Sequence, residues 1–285
     1  MEYKVALAQM NSKVGDVEAN LEKMANLIGR ARDEEAKLTV FPEMSLSGYM
    51  VMDGKDFKTF YECAETIDGP SVEAMRSQAR ENDMYIIFGM PLESSEVKGI
   101  FYNSSILVEP SGNVHVYNKV HLPTGNYLNA TLFEGLYCQN GSSFPLCETE
   151  IGNIGMQICH DFIFPEVSRI YTLKGADILV NISAGPVETK IGFDTILPAR
   201  AQENAIFFIY VNVPGEQRGA RFFGHSRIIH PMGMPIVECE VEKEDFKVAS
   251  INLDEVRNMR TISPHLKDRR RPEVYDEILE EFGRF

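Results

Sequence analysis

The 285 residues contain no tryptophan, no pair of cysteines at CxxC spacing, no apolar stretch long enough to span a bilayer and no excess of positive charge. Nothing follows from the missing tryptophan. The other absences exclude whole classes. The five cysteines, Cys63, Cys138, Cys147, Cys159 and Cys239, are odd in number and irregular in spacing. That speaks against a thiol redox motif and against a zinc knuckle, and it leaves reduced thiols in a cytoplasmic protein as the simplest expectation. A spanning helix needs about 20 consecutive apolar residues. The opening Met1-Glu2-Tyr3-Lys4 runs directly into a strand-like segment and lacks the shape of a signal peptide. With 28 Lys and Arg against 42 Asp and Glu, the net charge of −14 argues against nucleic acid or an anionic membrane as a partner.

What is present is a β-α-β pattern that occurs twice. Tyr3 to Met10 reads as a buried strand, and Val17, Leu21, Met24, Ile28 and Ala31 then fall on one face of a helix. Leu38 to Phe41 is a second strand, ending at Pro42-Glu43. Gly69-Pro70-Ser71 starts another helix, with Val72, Met75 and Ala79 inward, and Met84 to Gly89 is the next strand. Phe101 to Val108 and Val114 to Lys119 read as two strands joined by the turn Pro110-Ser111-Gly112-Asn113. Residues 124–146 read as loop. In the second half, Ile154 to Ile158 is a strand, Pro165 opens a helix that Gly175 ends, and Ile178 to Asn181 is a buried strand. A helix is expected over Pro198–Asn204, a strand over Ile206–Val213, a hairpin about Pro231-Met232-Gly233, and a last strand over Val248–Leu253. No linker separates the halves, so the expectation is an α/β fold with one domain over residues 1–285. A polar, proline-broken arm starts at about residue 254 and ends in a short helix, a surface or subunit-contact segment.

Three chemically distinct side chains stand at predicted strand ends: Glu43, Lys119 and Cys159. In open α/β sheets ligands gather at such ends. Cys159 lies at a strand-to-helix elbow, Ile158-Cys159-His160-Asp161, followed by Pro165-Glu166. A thiol is a weak nucleophile until it is deprotonated. A carboxylate in an apolar pocket has a raised proton affinity and can take the thiol proton. A lysine favours the thiolate and can hold the negative oxygen of a tetrahedral intermediate, together with the backbone N–H after the cysteine. Each residue also has a plainer reading: a buried small hydrophobe for Cys159, a solvated Glu43, an edge-strand Lys119 that discourages aggregation.

The motifs around these residues decide between the two. Phe41-Pro42-Glu43 with Gly48-Tyr49, then NKVHLP around Lys119, then CHDFIFPE from Cys159 resemble the glutamate, lysine and nucleophile motifs of the nitrilase (carbon–nitrogen hydrolase) superfamily. Phe133-Glu134 before Gly141, ARAQENAIF and GHSRIIHPMG resemble further segments of that family, so the resemblance runs over nearly the whole chain. It implies a four-layer α-β-β-α sandwich that pairs into a homodimer or larger homo-oligomer. It implies Glu43 as general base, Cys159 as nucleophile, Lys119 with the His160 backbone N–H as oxyanion holders, and Glu134 as a substrate-orienting carboxylate. A small-molecule amide would be hydrolysed through a thioester, with no metal or organic cofactor. One departure is His160, where the family often has an aromatic residue. Its side chain either titrates near neutrality or is packed in the elbow. Asp161 resembles amidase-like branches more than nitrile-hydrolysing ones.

Tyr49, Phe162 and Ala184 are expected as pocket walls. Relatives that act on N-carbamoyl compounds often carry arginines just after the cysteine, where this chain has Phe162 and Ile163. Arg200, Arg218 and Arg221 remain as other possible clamps for a substrate carboxylate, Arg200 being the more structural of them. The expected activity is therefore an amidase acting on a small aliphatic or ω-amide. The alternatives are an N-carbamoyl amide hydrolase, a nitrilase, or a scaffold that kept the fold without turnover. A thiol redox protein is disfavoured, since no resolving cysteine stands near Cys159.

Overall fold

The computed structural model describes residues 1–127, 130–266 and 269–279. In chain order the first half comprises β1 (Glu2–Gln9), α1 (Val17–Asp33), β2 (Ala36–Val40), α2 (Phe57–Cys63), α3 (Pro70–Asn82), β3 (Tyr85–Glu93), β4 (Phe101–Val108) and β5 (Val114–Asn118). The middle carries β6 (Thr124–Tyr127), β7 (Ala130–Phe133), α4 (Glu134–Tyr137) and β8 (Leu146–Thr149). The second half comprises β9 (Gly152–Ile158), α5 (Pro165–Leu173), β10 (Ile178–Ser183), α6 (Lys190–Asn204), β11 (Phe207–Asn212), β12 (Pro214–Gln217), β13 (Ala220–Phe223), β14 (Arg227–Ile229), β15 (Pro235–Glu238), β16 (Asp245–Asn252) and α7 (Asp254–Ile262).

The strands form two six-stranded sheets of the same topology. One has the order β16-β1-β2-β3-β4-β5, and the other, taken from its opposite edge, has β8-β9-β10-β11-β14-β15. In each, three consecutive parallel strands are followed by antiparallel partners, and a further antiparallel strand flanks the first. Strands buried on both faces need apolar residues at both alternating positions. In β1, Val5 and Leu7 enter the core between the sheets while Ala6 and Ala8 meet the helices. In β10, Ile178, Val180 and Ile182 enter the same inter-sheet core and Leu179 meets the other helix layer.

Helices α1 and α3 cover the first sheet with Met24, Ile28, Val72 and Met75. Helices α5 and α6 cover the second with Val167, Tyr171, Phe193 and Leu197. The result is the α-β-β-α sandwich. Asp16 caps α1 by accepting from Ala19 N at 3.1 Å, and Pro70 and Pro165 sit in the first turns of α3 and α5, where a missing N–H costs nothing.

Four expectations need correction. The segment 124–146 carries two short strands and a helical turn, whose hairpin pairing leaves no periodic signature in sequence. The chain after β11 forms a hairpin, β12–β13, that was not foreseen. The helix expected at Pro198 begins eight residues earlier, at Lys190, and runs through the proline, which removes one backbone donor without ending it. The arm expected from about residue 254 begins as α7, and Val256 is buried in the inter-sheet core, so its first turn belongs to the packing. The short terminal helix lies partly outside the described residues, and its described part is a pair of 3-10 turns, Pro272–Val274 and Asp276–Leu279. No helix among the described residues is long and apolar enough to cross a membrane.

Candidate active site

The carboxyl ends of the parallel strands of both sheets meet, and the three strand-end residues meet with them. Glu43 follows β2. Phe41 N still bonds Ile87 O at 2.8 Å, and Leu46 N reaches Gly89 O at 3.1 Å, so the loop that carries Glu43 is stitched to β3. Gly89 permits that closeness: a Cβ there would overlap the Met44 backbone nitrogen and lie 2.9 Å from the Glu43 Cα. Lys119 follows β5 and continues its pairing, with its N–H on Asn103 O at 2.9 Å and its carbonyl accepting from Gly141 N at 2.8 Å. Glu134 opens α4. All three side chains are fully buried.

Their contacts form one network. Lys119 Nζ donates to Glu43 Oε1 at 2.8 Å and to Glu134 Oε1 at 2.7 Å. Asn103 Nδ2 donates to Glu43 Oε1 at 2.6 Å and to Glu134 Oε2 at 3.3 Å. The Tyr49 hydroxyl donates to Glu134 Oε1 at 2.7 Å, and the Ala184 N–H, just past β10, donates to Glu43 Oε2 at 2.7 Å. Two carboxylates and one ammonium out of water are tenable only with such a density of donors. Asn103 was not foreseen. Its signal was the run Asn103-Ser104-Ser105 inside an otherwise apolar strand, since buried polar side chains require partners.

Cys159 follows β9 in the left-handed region, at φ +43°, and begins a 3-10 turn over Cys159–Ile163. A non-glycine residue there is strained and is held by its surroundings. The holding group is Asp161. Its Oδ2 accepts from Ile158 N at 3.0 Å and from the Tyr117 hydroxyl at 2.7 Å, and its Oδ1 accepts from His121 N at 3.1 Å with His121 Nδ1 2.8 Å away. Asn181 Nδ2 bonds the Cys159 carbonyl at 3.3 Å. Arg200 completes the elbow from α6, donating from Nε to Phe162 O at 3.0 Å and from Nη2 to Ile163 O at 2.9 Å. Arg200 is thus committed to the elbow's backbone.

The electrostatics follow from burial and neighbours. Burial, reinforced by the Glu43 charge, pushes the Cys159 thiol well up, with Lys119 and the Ala184 N–H pulling the other way. Cys159 therefore rests as a thiol. Burial pushes the Glu134 carboxyl up to about 7 against the pull of Lys119. For Lys119 burial acts to release the proton, and the Glu134 and Glu43 charges more than reverse it. Burial and Lys119 bring His160 down to about 4, so the titration near neutrality considered for it does not occur. Its ring packs edge-on against Phe164 with centroids 5.5 Å apart.

Cys159 opens into a cavity of ≈ 50 Å³, walled by Tyr49, His160, Phe162 and Ala184 among others. All three expected wall residues are there, and Tyr49 and Ala184 also hold the carboxylates. Tyr49, Leu132 and Pro186 are shared with an adjoining depression of ≈ 330 Å³ that includes Glu188 and Arg221. Arg221 is ion-paired with Glu242, and Arg218 with Asp53 at 2.9 Å and Asp56 at 3.5 Å. Among the described residues, no group of three or more His, Cys, Asp or Glu is placed to hold a metal ion.

Known proteins resemble this chain over nearly its whole length. The carbon-nitrogen hydrolase family model matches residues 4–261. A probable nitrilase of Schizosaccharomyces pombe is 35% identical over 98% of this chain and 99% of its own. An omega-amidase of Xenopus laevis is 30% identical over 88% of this chain and 89% of its own. Among solved structures, Saccharomyces cerevisiae Nit3, a member of branch 10 of the nitrilase superfamily, matches with a TM-score of 0.83 at 26% identity, covering 95% of this chain and 97% of that one.

Proposed function

Because the chain belongs to the carbon-nitrogen hydrolase family, we propose that it is an amidase, using Cys159 to convert a small linear amide to a carboxylate and ammonia. The observation that carries this is the Lys119 ammonium clasped between Glu43 and Glu134 beside a cysteine on a left-handed elbow.

Each group then has a task. Glu43 takes the thiol proton as Cys159 Sγ attacks the amide carbon. The carbonyl oxygen becomes an oxyanion, held by Lys119 Nζ and the His160 backbone N–H. The proton on Glu43 passes to the amide nitrogen, the C–N bond breaks, ammonia leaves, and an S–C thioester remains. A water, deprotonated by Glu43, adds to the thioester. The S–C bond then breaks, the proton returns to sulfur, and the carboxylic acid is released. Glu134 fixes Lys119 and orients the amide through its second oxygen. Because the thiol rests protonated, deprotonation and attack are coupled rather than sequential.

The N-carbamoyl alternative needs a cation for the substrate carboxylate. Arg200 is occupied by the Phe162 and Ile163 carbonyls, Arg218 by Asp53 and Asp56, and Arg221, at the outer depression, by Glu242, so each of these arginines already has a partner. The test is ammonia release from primary amides, N-carbamoyl compounds and nitriles, beside the Cys159→Ala protein. Release from amides by the wild type alone is expected. Release from carbamoyl compounds alone would transfer the assignment to that class, and turnover retained by Cys159→Ala would refute it altogether.

A further inference from the structure

The cavity at Cys159 has a wall from α6 and the 3-10 turn that leads into it, which the chemistry above does not use. Thr189, Gly192, Phe193 and Ile196 all line it, and their spacing of three, four and seven residues puts them on one helical face. Facing them are Phe162 and Ile163 from the elbow and Leu132 from β7. None of the residues that line this cavity is Asp, Glu, Lys or Arg, and His160 is held neutral down to about 4. The first polar obstacle in the other direction, the Glu43–Lys119–Glu134 network, is engaged with the reacting carbonyl. An acyl group bonded to Cys159 Sγ therefore meets an apolar enclosure, and a carboxylate placed there would lie without a cation.

Size follows from the same wall. A volume of ≈ 50 Å³ holds roughly three to five water-sized groups, which corresponds to a short carbon chain. Gly192 is the one position on this face without a side chain. A Cβ built on it has no heavy atom within 4 Å, and its backbone is not in the left-handed region. The glycine is thus not required by the backbone or by close packing, and a side chain at this position would project on the face shared with Ile196. Gly192 stands in the first turn of α6, where neither a positive φ nor close packing calls for glycine, so its presence here keeps space rather than structure.

Resting on the amidase assignment, we propose that Gly192 sets the acyl-length limit of a site that takes uncharged, apolar acyl groups. The competing arrangement is a longer ω-carboxylate substrate whose far end leaves past Tyr49, Leu132 and Pro186 and pairs with Arg221.

The experiment measures kcat/KM for unbranched primary amides from acetamide to hexanamide, and for succinamate and glutaramate, with wild-type, Gly192→Ala, Gly192→Leu and Arg221→Ala proteins. The wild type is expected to accept the neutral series up to a cut-off and to disfavour both ω-carboxylates. Gly192→Leu is expected to shorten the cut-off, lowering turnover of the longest accepted amide by about 10- to 200-fold while acetamide stays within about threefold. Gly192→Ala should fall between the two, and neither variant should melt at a lower temperature. An equal loss on every amide, or an unchanged length profile, would overturn the proposal while leaving the amidase assignment intact. So would a wild-type preference for an ω-carboxylate that Arg221→Ala removes. Silence of the wild type on every amide would overturn both.

Discussion

The two sides of Cys159 are made of opposite materials. On one side Glu43, Lys119, Glu134, Asn103 and Tyr49 are joined by hydrogen bonds of 2.6 to 3.3 Å, two of them meeting at Glu43 Oε1 and two at Glu134 Oε1. On the other side the apolar residues Phe162, Ile163, Phe193 and Ile196 line the cavity. A fully bonded polar network admits one geometry, and removing a member leaves charges buried without partners. An apolar wall admits any shape that fills it. The difference separates chemistry from selection. Damage to the polar side should lower turnover of every substrate by a common factor, whereas changes to the apolar side should reorder substrates and spare the smallest.

Lys119→Met is the harshest way to break that separation. Loss of an oxyanion donor costs on the order of 10²- to 10³-fold in rate, and the same factor is expected for every amide length. The protein should also melt at a lower temperature, because Glu43 and Glu134 would face each other without their cation. Kinetics across the amide series with thermal melting would check both, and a loss confined to long amides would show that the lysine side also selects. Gly192→Leu is the complementary case, large for long amides and nearly absent for acetamide.

Glu134→Gln gives the smallest and most diagnostic effect. The Glu134 carboxyl is raised from 4.5 to about 7, so its proton is favoured by the folded state. Its contribution to stability is full below pH 4.5 and is lost as pH rises through about 7. His160, lowered from 6.5 to about 4, contributes in the opposite sense, present above 6.5 and lost as pH falls through about 4. The difference between wild type and Glu134→Gln isolates the first term. The wild type should lose melting temperature relative to the variant between pH 4.5 and 8. Parallel curves would mean that Lys119 keeps Glu134 ionised throughout.

Much of the polar side is legible in the sequence, and little of the apolar side is. Glu43 and Cys159 follow apolar runs and Lys119 follows the mixed strand Val114–Asn118, and a polar residue at the end of such a segment marks a strand end where side chains leave the core. Which strand ends meet is not local information. It depends on two sheets of equal topology stacking with their carboxyl ends together. Asn103 is hidden because its partners lie 60 and 31 residues away. The α6 wall is hidden for another reason. Pro198 reads as a helix start, which leaves Thr189 to Ile196 looking like loop, although the helix tolerates the proline at its ninth position. Ala184 shows a further limit, since its function as a donor to Glu43 belongs to its backbone and carries no side-chain signal at all.

The most direct test of the central claim is to trap the acyl-enzyme. A chromogenic butyrate ester acylates quickly through its good leaving group, which makes hydrolysis of the acyl-enzyme the slow step. Rapid acid quenching and peptide mass spectrometry should then find one butyryl group per chain, on Cys159 and not on Cys63, Cys138, Cys147 or Cys239, which, unlike Cys159, are buried away from the cavity opening. A burst of leaving group equal to the enzyme concentration should accompany it and vanish in Cys159→Ala. A butyryl group on any other residue, or an equal burst from Cys159→Ala, would contradict the mechanism.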